Sequence, residues 1–153
     1  MNIAVRPAEE ADVPEMSRVL IASITELCVA DHGGDAAVIA AWTANKSESG
    51  VRQMMDGGSL YVAERDGRVV GVGAVGIDEI TLNYVDPAHR RSGVGRAMMH
   101  SLEAVLAARG VTVARLKSTA TARDFYRSQG WRDGEPAPEG RFIAACPMVK
   151  LLL

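Results

Sequence analysis

The stretch from Leu82 to Met99 constrains the fold of this chain more than any other. Apolar residues that predict a β-strand end at Val85-Asp86-Pro87, and a helical pattern of apolar residues begins at Val94. The loop over residues 90–96 joins them and contains three arginines. The N-terminus of a helix is electropositive and repels cations. Three arginines at such a position therefore indicate that an anion binds there. Backbone amides, helix dipole and arginines would all attract a phosphate.

The glycine spacing of this loop differs from two common phosphate motifs. Arg90-x-x-Gly93-x-Gly95 lacks the longer glycine gap and the Lys-Ser/Thr pair of a P-loop. It also lacks one glycine of the dinucleotide fingerprint. The residues alone leave two interpretations open: the glycines form a phosphate cradle, or they form a tight strand-to-helix turn between solvated arginines.

A known family shows the same spacing. R-x-x-G-x-G after a strand ending in Val-Asp-Pro resembles the pyrophosphate loop of the GNAT superfamily of N-acetyltransferases. The segment over residues 118–131 resembles that family's downstream motif, a short helix with Ala, then Phe-Tyr, ending at Gly and an aromatic residue. Both motifs occur in the family's order. The chain is therefore identified as a single GNAT-like acetyltransferase domain over residues 1–153.

The pattern of apolar residues and the resemblance predict the same fold class. We expect an α/β, GNAT-like fold with a mixed central sheet of about six to seven strands, flanked by helices on both faces. Periodicity predicts strands over 2–6, 59–64, 68–75, 79–85 and 111–117, with two more near 130–135 and 142–152. It predicts helices over 9–27, 36–45, 50–55, 94–109 and 122–129.

Composition excludes several classes of function. A formal net charge of −2 argues against nucleic acid as a partner, because nucleic-acid binding requires a broad basic surface. The two cysteines have no CxxC or histidine spacing, so we expect no disulfide framework and no metal site. The chain has neither a secretory leader nor a membrane-length apolar stretch, so we expect a cytoplasmic protein without a membrane partner.

The resemblance implies acetyl-CoA as the cosubstrate. In the family, loop amides hold the pyrophosphate, and the pantetheine arm lies along the strand predicted over 79–85. Many members have Asn at the position of Thr119, so this contact departs from the family, and Ser118 or Thr121 could replace it. The residues expected at the donor site are Tyr84, Val85, Arg90, Arg91, Ser92, Gly93, Val94, Gly95, Arg96 and Thr119.

Two side chains are candidates for the proton transfers. Tyr126 matches the family position whose hydroxyl protonates the departing thiolate; its alternative role is a core aromatic residue. Glu79 lies where some members carry a glutamate base; the alternatives are an exposed strand-end acid and a water relay. Strand alternation predicts Glu79, Thr81 and Asn83 on one face of the sheet. The same alternation places Ile80, Leu82 and Tyr84 against the long helix.

The acceptor site is expected between the first two helices and the final hairpin. The resemblance implicates Asp31 and His32 there, with Asn83 on the adjacent strand and Trp42 as a wall. The acids Asp31 and Asp35 would suit a cationic amine, either a small molecule or a peptide. The alternative for His32 is a surface residue of a glycine-rich loop.

Three functions follow from these observations. The leading one is an acetyl-CoA-dependent N-acetyltransferase in which a primary amine attacks directly. The alternatives are a non-catalytic acyl-CoA-binding or sensing domain, and a module for another phosphate ligand such as a nucleotide. Homodimers are frequent in the family, which makes a second copy of the chain a candidate partner.

Overall fold

A computed structural model of the chain describes residues 2–135 and 145–152. Over these residues, seven strands form one sheet in the order β1-β2-β3-β4-β5-β7-β6, with helices on both faces. The sheet is mixed, because β4 and β5 are parallel and the other neighbouring pairs are antiparallel. The predicted fold class is confirmed.

The elements follow the predicted order. The strands are β1 Ala4–Pro7, β2 Leu60–Arg65, β3 Arg68–Val75, β4 Glu79–Val85, β5 Val113–Ser118, β6 Arg132–Asp133 and β7 Cys146–Leu151. The helices are α1 Val13–Leu27, α2 Val29–His32, α3 Ala36–Thr43, α4 Glu48–Asp56, α5 Val94–Ala108 and α6 Arg123–Ser128. Residues 28–35, between the helices predicted over 9–27 and 36–45, contain the short helix α2. The last predicted strand begins at 142, and residues 142–144 lie outside the described part.

Two apolar layers hold the helices against the sheet. On one face α5 contributes Met98, Leu102 and Leu106 to a core that also contains Leu116 of β5. The other face is covered by α1, whose buried residues pack against β2 and β3 together with Val51 of α4. None of the described helices is long and apolar enough to cross a bilayer.

A β-bulge in β4 changes which residues share a face. Ala74 pairs with Leu82 while the next residue, Val75, pairs with Ile80, so Thr81 is an extra residue in the ladder. Ile80 packs in the core beneath α5, whereas Leu82 and Tyr84 contact the core beneath α1. The predicted common face for Ile80, Leu82 and Tyr84 is therefore wrong, because one inserted residue reverses the alternation.

Candidate active site

The sheet opens between its two parallel strands. β4 and β5 pair only at Glu79–Arg115 and Ile80–Leu116, although both strands continue beyond these pairs. A small cavity of about 50 Å³ lies in the gap that follows. Its lining includes Asn83 of β4, Lys117 of β5 and Tyr126 of α6.

The loop before α5 has the backbone that an anion cradle requires. Arg91 and Gly93 have positive φ values of 57° and 88°, and no side chain among the described residues caps the N-terminus of α5. Asp86 anchors the loop by accepting hydrogen bonds from the Ala88 amide at 3.0 Å and from Arg18 at 3.1 Å. The first-turn amides of α5 therefore remain without a side-chain acceptor.

The residues predicted to bind acetyl-CoA include arginines of the loop and valines of the adjoining elements. Within the described part of the chain, Arg90, Arg91 and Arg96 form no ion pair, so their charges are available to a phosphate. Val94 is buried in the apolar core beneath α5, so only its backbone can reach a ligand, and Val85 is half-buried against the same core. Both groups fit a ligand held by amides and arginines.

Tyr126 is both a core aromatic residue and a residue of the gap. Its side chain is 7% exposed, and its ring packs edge-on against Phe125 and Trp131 at centroid distances of 5.3 and 6.4 Å. Burial raises the pKa of Tyr126 to about 12, and a hydrogen bond from the Asn83 side chain partly opposes that rise. The phenol therefore keeps its proton at neutral pH and can serve as an acid, not as a base.

Asn83 carries an unsatisfied acceptor into the same gap. Its Oδ1 is buried and has no hydrogen-bond partner among the described residues. Leaving a buried amide oxygen unpaired costs about 1–3 kcal/mol, so the gap is suited to a ligand that presents an N–H group there.

The hydroxyl residues near the start of α6 bond within the protein. Thr119 Oγ1 accepts from the Ala122 amide at 3.1 Å, and Ser118 Oγ donates to the Thr119 carbonyl at 2.6 Å. The Thr121 hydroxyl donates to Asp31 at 2.5 Å. Of Ser118, Thr119 and Thr121, Thr119 is the residue that lines the gap.

The predicted acceptor residues Asp31 and His32 also bond within the protein. Asp31 accepts from the Ala120 amide at 2.6 Å, which ties α2 to the turn before α6. His32 is 4% exposed; its Nδ1 accepts from the Gly34 amide at 3.0 Å, so Nε2 donates to the Ile24 carbonyl at 2.9 Å. Neither lines the two cavities that meet at the β4–β5 gap, and Asp35 caps α3.

A larger cavity of about 430 Å³ adjoins the gap and contains Glu79. The bulge at Thr81 separates Glu79 from Asn83, so the two side chains line different cavities instead of sharing a face. Sequence reasoning missed two lysines here, although the alternation of β5 places exposed Lys117 beside the gap. The polar and aromatic lining of the larger cavity includes Trp42, Asn45, Lys46, Glu79, Thr81, Tyr84, Lys117, Ser118 and Thr119.

Cys28 lies beneath the site without the properties of a nucleophile. It is 5% exposed and packs with Ile24 and Trp42. Burial, reinforced by the charge of Asp31, raises the pKa of the Cys28 thiol to about 12. The thiol is therefore protonated at neutral pH, as expected for a buried structural cysteine, and Cys146 is half-buried.

The sequence matches a known family over most of its length. Residues 16–152 match the sequence model of the family described as "Acetyltransferase (GNAT) domain". This chain belongs to the GNAT acetyltransferase family. The matched range contains both segments from which the sequence indicated this family, the R-x-x-G-x-G loop and the segment over residues 118–131.

Three proteins whose names describe acetyltransferases resemble the chain. A segment of 86 residues is 34% identical to an "IAA acetyltransferase" of Azospirillum brasilense, and this match spans 50% of the chain and 56% of that relative. A "GCN5-related N-acetyltransferase" structure from Rhodopseudomonas palustris is 25% identical, with a TM-score of 0.89 over 99% of this chain and 97% of that one. A PaiA N-acetyltransferase from Thermoplasma acidophilum, solved with coenzyme A, is 16% identical with a TM-score of 0.79 over 99% of both chains.

Proposed function

We propose that this GNAT protein transfers an acetyl group from acetyl-CoA to the primary amine of an acceptor by direct attack. The observation that carries the proposal is Tyr126, a buried and protonated phenol that lines the gap where β4 and β5 separate. A thioester held in this gap would find a proton donor at the position where a thiolate has to leave. The match to the GNAT family and the relative solved with coenzyme A support this choice of donor.

The loop before α5 would hold the phosphates of the donor. Backbone amides of residues 91–96 supply hydrogen-bond donors, and the dipole of α5 favours negative charge at this end. Arg90, Arg91 and Arg96 would add charge-assisted bonds. Asn83 Oδ1 offers an acceptor for an N–H group of a ligand in the gap.

The proton transfers would be divided between two side chains. Attack forms the C–N bond of an amide and breaks the C–S bond of the thioester. Glu79, which lines the larger cavity, would accept the proton that the ammonium group of the acceptor loses before attack. Tyr126 would donate its proton to the leaving sulfur, and the proton that the attacking nitrogen still has to lose would return through solvent to the phenolate, which leaves a neutral amide and a free thiol. The raised pKa of Cys28 favours this scheme over one that acylates the enzyme.

The proposal is tested by thiol release from acetyl-CoA in the presence of a panel of primary amines, with mass spectrometry of the products. We expect amine-dependent release and a mass increase of one acetyl group on the acceptor. Glu79→Gln should slow amine-dependent thiol release while the affinity for acetyl-CoA is kept. Stoichiometric donor binding without release across the panel would favour a non-catalytic acyl-CoA-binding domain.

A further inference from the structure

The larger cavity next to the gap has a distinctive set of charges. Its described lining contains one carboxylate, Glu79, and two lysines, Lys46 and Lys117. Arg115 and Asp78 lie nearby but bond to each other at 2.9 Å and do not line the cavity. The described wall therefore presents a cationic side chain, the exposed Lys117, beside its carboxylate, which is unfavourable for a polyamine or another purely cationic acceptor.

Lys117 is the side chain that a ligand would meet most readily. It is exposed on β5, lines both the gap and the larger cavity, and has no salt bridge within the described part of the chain. Lys46 is 7% exposed, and its Nζ donates to Asn45 Oδ1 at 2.6 Å. Lys46 is thus already hydrogen-bonded within the protein, while Lys117 has donors to offer an anion.

Glu79 and Lys117 come from neighbouring strands and project into the same cavity. Glu79 pairs with Arg115 in the ladder, and Lys117 follows two residues later on the same face of β5. A carboxylate and an ammonium so arranged match the two charges of a zwitterion, with the amine towards Glu79 and the anionic group towards Lys117. A volume of about 430 Å³ is suited to a small molecule.

We infer that the acceptor is an amine that also carries a carboxylate, such as a free α-amino acid, and that Lys117 binds this carboxylate. The inference rests on the proposed acetyl transfer for the role of this ligand as acceptor. It replaces the expectation of a cationic amine held by Asp31 and Asp35, whose oxygens bond to the backbone of α3 and of the turn before α6.

The test compares each acid with its amide. Leucine, methionine and phenylalanine are assayed against leucinamide, methioninamide and phenylalaninamide for kcat/KM. We expect kcat/KM to be about tenfold higher for the acids than for the amides. This ratio corresponds to the lower end of the range for a charge-assisted hydrogen bond, because Lys117 is exposed. Lys117→Gln should reduce the preference to about one, and Lys117→Glu should reverse it. Arg115→Gln removes a charge from the same face of β5 outside the cavity and should keep the preference.

Binding without turnover separates this inference from the proposed function. N-acetylleucine and N-acetylleucinamide are titrated by ligand-observed NMR in the presence of coenzyme A, which requires no catalysis. Preferential binding of the acid, lost in Lys117→Gln, supports the carboxylate site even if no amine is acetylated. Equal binding of acid and amide, a preference for amides in the wild type, or a loss of acetyl-CoA affinity in Lys117→Gln would each overturn it.

Discussion

Tyr126→Phe is expected to lower kcat by about 100-fold or more, the range for loss of a positioned general acid. Removal of the hydroxyl takes away the proton that the departing sulfur would receive. The ring keeps its packing between Phe125 and Trp131, so the fold and the donor site are retained. The affinity for acetyl-CoA, measured by calorimetry, should therefore change little while single-turnover thiol release slows.

The matched control for this change is Tyr61→Phe. Tyr61 lies on β2, is half-buried and packs against the core beneath α5, away from the gap. Its variant should retain wild-type turnover. If Tyr126→Phe and Tyr61→Phe turn over at the same rate, Tyr126 is only a core residue and the proposed acid has to be sought elsewhere.

Gly50→Ala is expected to destabilise the fold by about 3 kcal/mol, the upper range for overpacking. A Cβ at Gly50, in the first turn of α4, would lie 2.1 Å from the carbonyl oxygen of Asn45 and 2.6 Å from its carbon. Both are backbone atoms, so relief requires a shift of α4 or of the chain before it. Because Val51 packs α4 into the core beneath α1, that shift would disturb buried contacts.

Urea unfolding of Gly50→Ala beside Gly76→Ala measures this effect. A Cβ at Gly76 would approach no atom closer than 3.7 Å, and its φ is not in the positive range. The control should therefore lie within about 0.5 kcal/mol of the wild type, as surface substitutions usually do. Equal free energies of unfolding for the two variants would show that the backbone before α4 accommodates a methyl group.

The parts of the fold that depend on local sequence could be predicted. The bounds of β3 and β4 are those that the apolar pattern indicates. Asp66-Gly67 forms the hairpin turn between β2 and β3 with positive φ at both residues, a backbone that this dipeptide tolerates. The loop between β4 and α5 was also readable, since its signal is a local run of arginine and glycine between a strand pattern and a helix pattern.

Features that depend on distant residues could not be predicted. The bulge at Thr81 exists only in the pairing of β4 with β3, and single-strand alternation assigns Ile80 and Leu82 to one face. The sequence suggests Asp31 as a ligand-binding carboxylate. Its oxygens instead accept hydrogen bonds from the amides of residues 120 and 121, which lie far from it along the chain. Lys46 reaches the site only because α3 and the turn after it fold over β4.

The central claim is that the loop before α5 and the adjoining gap bind acetyl-CoA, and calorimetric titration of acetyl-CoA into the purified protein tests it most directly. We predict saturable one-to-one binding in the micromolar range, retained in Tyr126→Phe and unaffected by ATP. Absence of heat and of thermal stabilisation up to millimolar acetyl-CoA would contradict the claim. Displacement of acetyl-CoA by ATP from the same site would contradict it equally, because it would assign the loop to a nucleotide.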